Sequence, residues 1–304
     1  MKRSHAIFRT LTLVSLTIIL TTIANAQASR TWVSGTGDDA NPCSRTAPCK
    51  TFAGAISKTG TDGEIDVLDP NGYGSVTIVK SITISGPKGY GMLACPNATG
   101  VIINITDPLD VRKTVRLRSL IINGASTGIR GVNIIAANDV HIEDTVIDGF
   151  VNEGVQLSTS ASCTLHMSDC IIRRVTTGVK VTTTSGFAVA SIKNAQLVDN
   201  TTGIDVAANG FATIRDSVVS DNVDGIKTSA SGASISAINN VLAHNTGVAI
   251  NASVAGSTIR ALGNYILSNA TGISAVGTVS TDGQNRNDSN SVPGAPNGGL
   301  ITVH

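Results

Sequence analysis

Asp144 and Asp169 stand 25 residues apart, and Arg173 and Arg174 follow the second of them within one short stretch. Carboxylates brought about 5 Å apart can share a proton, hold Ca²⁺ or act as acid and base, and a guanidinium beside them can steady the anion left when a proton next to a uronate carboxyl group is removed. Such a constellation would make a lyase or a hydrolase of acidic polysaccharides. The carboxylates also belong to a longer series, Asp144, Asp169, Asn194, Asp216, Asn239 and Gly263. Asp, Asn and Gly share tolerance of a left-handed backbone, so the series reads first as a bend repeated once per unit and only second as a site. Arg118, taken as the corresponding residue one unit earlier, fits neither reading.

Asn200, Asn222, Asn245 and Asn269 recur with similar steps and suggest a second bend or a stacked amide ladder. Phe187 and Phe211 follow equivalent glycines and are expected to stack on each other rather than on a sugar ring. His166 lies between Leu165 and Met167 in an alternating run and is expected to face outward as a surface histidine. Trp32, near the start, is expected to seal the core. No Gly-rich phosphate loop followed by Lys is present, and no His or Cys spacing suits zinc. The expectation is therefore no metal and no cofactor, with Ca²⁺ confined to the lyase alternative.

The elements that must carry these residues follow from a repeat. Gly131-Val132, Gly154-Val155, Gly178-Val179, Gly203-Ile204, Gly225-Ile226, Gly247-Val248 and Gly272-Ile273 are separated by 22 to 25 residues. A second series, from Ser119-Leu120-Ile121 to Asn264-Tyr265-Ile266, keeps the same step, and Gly186, Gly210, Gly232 and Gly256 mark a third. Each unit holds short alternating runs such as Val140-His141-Ile142, broken by Gly, Asn, Asp and Ser, without a helical apolar period. One unit per turn of a parallel β-helix explains the pattern. Rungs about 4.8 Å apart place each inward side chain on its counterpart, so like packs on like.

Composition agrees with a thin, layered fold: 41% of residues are hydrophobic but only 3% aromatic, so β-branched side chains must fill the core. Lys2, Arg3 and Arg9, the apolar stretch from Leu11 to Ile23 and Ala24-Asn25-Ala26 read as an export signal, residues 1–26, with the mature chain starting at Gln27. Removing it leaves 19 basic against 21 acidic residues, a balance that offers nucleic acid no basic stripe. No later segment reads as a membrane span. In an exported chain Cys43 and Cys49 are expected to pair, closing a short loop, and at least one of Cys95, Cys163 and Cys170 to be buried and unpaired. Residues 27–62 read as a cap whose helix runs within Pro48 to Ile56, residues 63–284 as the parallel β-helix, and residues 285–304 as a loosely ordered tail.

The run Arg30 to Gly35, Asn41-Pro42-Cys43, Ala47 to Ala53, Asn71-Gly72-Tyr73-Gly74 and Lys80 to Ile84 resembles the exported bacterial β-helix repeat proteins of the pectin-lyase-like superfamily. The resemblance implies the right hand of the coil and a secreted or periplasmic setting; with the repeat and the helix before it, the expected fold is all-β, a right-handed parallel β-helix (solenoid) with a short N-terminal capping α-helix. The calcium cluster and arginine pattern of pectate lyases have no residue-by-residue match, and the Asp-Asp pair and Gly-His-Gly of polygalacturonases are absent. Two functions are therefore carried forward. The first is a non-enzymatic β-helix whose side surface recognises or scaffolds polysaccharide or a cell-surface glycan. The alternative is a carbohydrate-active lyase or hydrolase with Asp144, Asp169 and Arg173 or Arg174 in its cleft. Units of such even length leave little chain for groove walls, which favours the first.

Overall fold

The computed structural model describes residues 27 to 301, so the leader read at residues 1–26 lies outside them. The chain winds into a parallel β-helix with three sheets of 11, 9 and 10 strands. From Thr59–Val67 onward, strands next in sequence lie in different sheets, and each strand pairs in parallel with the strand one rung away, as Asp139–Glu143 does with Cys163–Ser168. The longest sheet begins with Ala28–Val33 and Thr59–Val67 and ends with Thr278–Thr281.

Inside the coil, like does pack on like. Val132, Val155, Val179, Ile204, Ile226, Ile250 and Ile273 lie in register on successive rungs, all buried. Each contributes about 1.5–3 kcal/mol by burial. Gly247-Val248 is not part of this column: Ile250 takes the aliphatic place and Ala249 the glycine place, so that marker was two residues off. The true glycine series exists because backbones meet closely. A Cβ on Gly131, Gly154, Gly178, Gly203 or Gly225 would fall 2.4–2.8 Å from the carbonyl oxygen of the residue one rung along.

The Asp and Asn series forms a bend. Ser119, Asp144, Asp169, Asn194, Asp216, Asn239 and Gly263 all have φ between 47° and 60°. Ser119, not Arg118, is the early member, which removes the exception. Behind this bend and the next lie two amide ladders. In one, the Oδ1 atoms of Asn222, Asn245 and Asn269 accept from the backbone N–H of Asn200, Asn222 and Asn245 at 2.9–3.1 Å. In the other, Asn240, Asn264 and Asn285 repeat the arrangement.

The cap is built around Asp39. Its carboxylate accepts from the N–H groups of Lys50 and Thr51 and from Thr51 Oγ1, and Thr51 Oγ1 in turn accepts from Gly54 N–H, capping helix α1, Phe52–Lys58. The helix thus starts later than the proline-led reading. Phe52, Ala55 and Ile56 are buried over the first rungs, and the Phe52 ring lies 5.3 Å from that of Tyr73. Cys43 and Cys49 are disulfide-bonded, whereas Cys95, Cys163 and Cys170 are all free and buried. Trp32 does not seal the core: Val33 points inward, and Trp32 lies outside with the Arg30 guanidinium over its ring.

Two boundaries differ from expectation. The coil does not wait for residue 63, because Ala28–Val33 already pairs with Thr59–Val67 as the first strands of the long sheet. Residues 285 to 301, read as a loosely ordered tail, instead complete the last rung. Arg286–Asp288 pairs with Tyr265–Leu267, Asn285 and Asn290 extend the two ladders, and Leu300 bridges to Thr281. The asparagines that suggested looseness are the groups that hold this segment.

Candidate functional site

The four residues singled out for catalysis fall into two separate groups. Asp144 accepts hydrogen bonds from Lys88 Nζ at 2.7 Å and Ser119 Oγ at 3.1 Å. Lys88 therefore holds its carboxyl below the ordinary Asp value despite partial burial, the opposite of what a general acid needs. Asp169 accepts from Asn194 Nδ2 within the same bend. Arg173 and Arg174 lie in and beside a strand of another sheet, where both grip Asp148, itself buried. Asp169 stands in the left-handed bend that leads into the strand Ile171–Arg173, so the carboxylate and the guanidinium belong to different parts of the rung. Each carboxylate is thus engaged in tying one rung to another, and Arg174 occupies a left-handed bend of its own. Asp205 belongs to a third such arrangement, its Oδ2 3.5 Å from Lys180 Nζ, with Oδ1 buried and unpaired.

The outer face of the long sheet is different. From Cys163 to Thr281 its outward side chains are mainly small and polar: Thr164, Ser191, Thr213, Ser234, Ser236, Thr258 and Ser280. The cations among them are Lys193, Arg215 and Arg260, with Lys193 and Arg215 adjacent on neighbouring rungs. Asp169 and Asp216 stand in the bends alongside. Phe187 and Phe211 meet edge to face at 5.7 Å, as expected, and both are exposed.

At the N-terminal edge of this surface lies a group that the sequence reading missed. Asp139, His141 and His166 each offer a donor atom within 4.8 Å of the others. The two imidazoles stack with centroids 4.8 Å apart, and His166 Nε2 is 3.9 Å from Asp139 Oδ1. His166 does face outward, but onto His141, its register partner. Partial burial, followed by the neighbouring His166 and Arg116, lowers the His141 pKa, which favours its neutral, ligating form. The spacing of 25 residues between the histidines is the repeat period itself and was the available signal. The set suits a divalent ion that accepts imidazole and carboxylate, including Cu²⁺. It offers nothing soft: Cys163 and Met167 of the same strand are buried, and burial pushes the Cys163 thiol up to about 12. The sequence-based expectation named no metal ligand, and these three residues are a group whose geometry could hold an ion.

Comparison with known proteins bears first on the fold. Pectate lyase Pel9A superposes with a TM-score of 0.65, covering 86% of this chain and 77% of that one at 13% identity. The A-module of the Azotobacter vinelandii mannuronan C-5 epimerase AlgE4 gives 0.39 over 83% of this chain and 91% of its own at 15% identity. No curated protein matches in sequence. The family profile described as periplasmic copper-binding protein (NosD) matches residues 109–290, more than half of the chain and most of its regular rungs. The chain accordingly belongs to the NosD family, parallel β-helix proteins of an extracytoplasmic setting.

Proposed function

We propose that this protein is a non-catalytic binding protein that holds an anionic polysaccharide along the outer face of its long sheet. The observation that carries this reading is a division of labour among charged groups. Asp144, Asp148 and Asp169 are committed to neighbouring rungs, whereas Lys193 and Arg215 form no ion pair among the described residues. Cations and hydroxyls repeating at the rung spacing of about 4.8 Å can follow an extended polymer, meeting carboxylates with charge and sugar hydroxyls with Ser and Thr. The exposed edge of the Phe187–Phe211 pair adds an apolar platform for a sugar face. That a pectate lyase is built on the same coil supports polysaccharide as the ligand class, while the paired carboxylates argue for binding without cleavage.

The test is a glycan array on the mature protein, run beside an assay for new unsaturated uronate ends with added Ca²⁺. Retention of uronic-acid polymers without turnover, weakened by salt and by the double variant Lys193→Ala/Arg215→Ala, is the expected outcome. Turnover that Asp169→Asn abolishes would overturn it in favour of the lyase alternative, and absence of any glycan retention would overturn it outright.

A further inference from the structure

A cavity of about 410 Å³ lies at the N-terminal end of the long sheet's outer face, six strands before Lys193. Small-ligand sites commonly measure about 300–1,000 Å³. Trp32 lines the cavity, with its register partner Asp66 on the next strand and Ser85 on the one after. The core does not need this ring, because Val33 of the same strand points inward. Arg30 is held over the indole by ion pairs to Asp66 and, at 3.9 Å, to Glu64, which orients the aromatic wall. A loop closed by the Cys43–Cys49 disulfide flanks the strand. The backbone N–H of Trp32 donates to the Cys43 carbonyl at 2.9 Å, and that of Cys49 to the Trp32 carbonyl at 3.0 Å. The same loop brings Arg45 to the cavity, where Leu68 and Pro87 add apolar surface. Among the described residues no hydrogen bond engages the Trp32 indole N–H, the Glu64 carboxylate or the Arg45 guanidinium.

We propose that this cavity binds one neutral pyranose unit, its ring stacked on Trp32 and its hydroxyls hydrogen-bonded to Glu64, Ser85 and Arg45. An indole beside Leu68 and Pro87 suits the apolar face of a sugar ring. The charges around it balance, Arg30 and Arg45 against Glu64 and Asp66, so the cavity has no net attraction for an anion, unlike the stretch with Lys193 and Arg215. A sugar hydroxyl both donates and accepts, so it can serve a carboxylate and a guanidinium alike. That the ligand is a sugar rests on the polysaccharide reading of this face, and together the two regions select an acidic polymer that also carries neutral units.

Trp32 is the sole tryptophan of the chain, so its emission reports this cavity. Mature protein is titrated at low and high salt with neutral oligosaccharides of glucose, galactose, mannose, xylose or rhamnose, and with oligogalacturonate. The expected result is a saturable emission change with at least one neutral oligosaccharide, insensitive to salt. Glu64→Gln, which keeps the fluorophore, should weaken that binding by about fivefold. Trp32→Ala, read by calorimetry, should weaken it by about tenfold or more, with far-UV circular dichroism unchanged. Lys193→Ala/Arg215→Ala should titrate with the neutral oligosaccharide as the parent does, so this site and the anionic face fail separately. No emission change with any neutral oligosaccharide, or a change confined to oligogalacturonate and abolished by salt, would overturn the proposal.

Discussion

Asn245 lies in the middle of a buried amide ladder, and removing its side chain tests what holds the coil together. Its Oδ1 accepts from the backbone N–H of Asn222 at 3.1 Å and from Asn222 Nδ2 at 3.2 Å, while its Nδ2 donates to the Val219 carbonyl at 3.2 Å and to Asn269 Oδ1 at 2.8 Å. The residue is 1% exposed, so water cannot take over these bonds. Asn245→Ala leaves the Asn222 N–H without an acceptor and the Val219 carbonyl without this donor. Each such loss costs about 1–3 kcal/mol, and the small cavity adds to it, giving about 3–5 kcal/mol in all. Asn290 makes equivalent bonds at the open end of the ladder but is partly exposed, so Asn290→Ala should cost about 1–2 kcal/mol, as solvent replaces the lost partners. Urea unfolding followed by far-UV circular dichroism measures both. Asn245→Leu, which restores volume but no hydrogen bonds, should remain close to the alanine variant. Equal costs at positions 245 and 290, or rescue by leucine, would refute the reasoning, because burial of paired amides would then not be what matters.

Two further outcomes follow from local geometry. Gly178→Ala places a Cβ 2.4 Å from the Gly203 carbonyl oxygen and should prevent folding or lower the melting temperature severely. Gly232→Ala, at φ 79° with open space around it, should cost only about 1–2 kcal/mol of backbone strain, and thermal melts compare the two. In the cap and first rungs, burial acts to raise the pKa values of Asp39, Asp69 and Asp110, but the hydrogen bonds they accept outweigh it and leave all three lowered. Folding is therefore favoured by these groups above the unfolded Asp value of about 3.9, and that contribution is lost as the pH falls through their depressed folded values. Melting temperature should drop on acidification below about pH 4, less steeply in Asp69→Asn; an unchanged acid limb in that variant would contradict the assignment.

The fold was legible because a solenoid writes its geometry into the sequence. Asp144, Asp169, Asn194, Asp216, Asn239 and Gly263 advertise a left-handed bend by residue type, and the structure has every one of them left-handed. The asparagines from 200 to 269 were equally readable, since one residue type repeats. The second ladder was obscured because its column runs Thr145, Cys170, Ala195 and Ser217 before it becomes Asn240, Asn264 and Asn285, changing chemistry along the way. Cys170 in that column is more than filler, as its thiol lies within hydrogen-bonding reach of the Ile142 carbonyl, which it meets at 3.3 Å. Gly247-Val248 misled because Ala249 stands in for the glycine and shifts the local register. Ser119 was missed since serine does not announce a positive φ. The Asp139–His141–His166 group went unseen for another reason: a motif search looks for ligands close in sequence, whereas here the coil itself brings residues one period apart into contact.

Everything rests on rungs stacked in register, and distances along one outward column test that most directly. Thr83, Arg116, His141, His166, Ser191, Thr213, Ser236, Arg260 and Ser280 follow one another by strand pairing. Spin labels at Thr83→Cys and Ser236→Cys, read by double electron–electron resonance, should give a backbone separation of about 29 Å, and Thr83→Cys with Ser280→Cys about 38 Å. Separations that grow by one rung spacing per repeat support the account; separations that do not scale with the number of rungs contradict it.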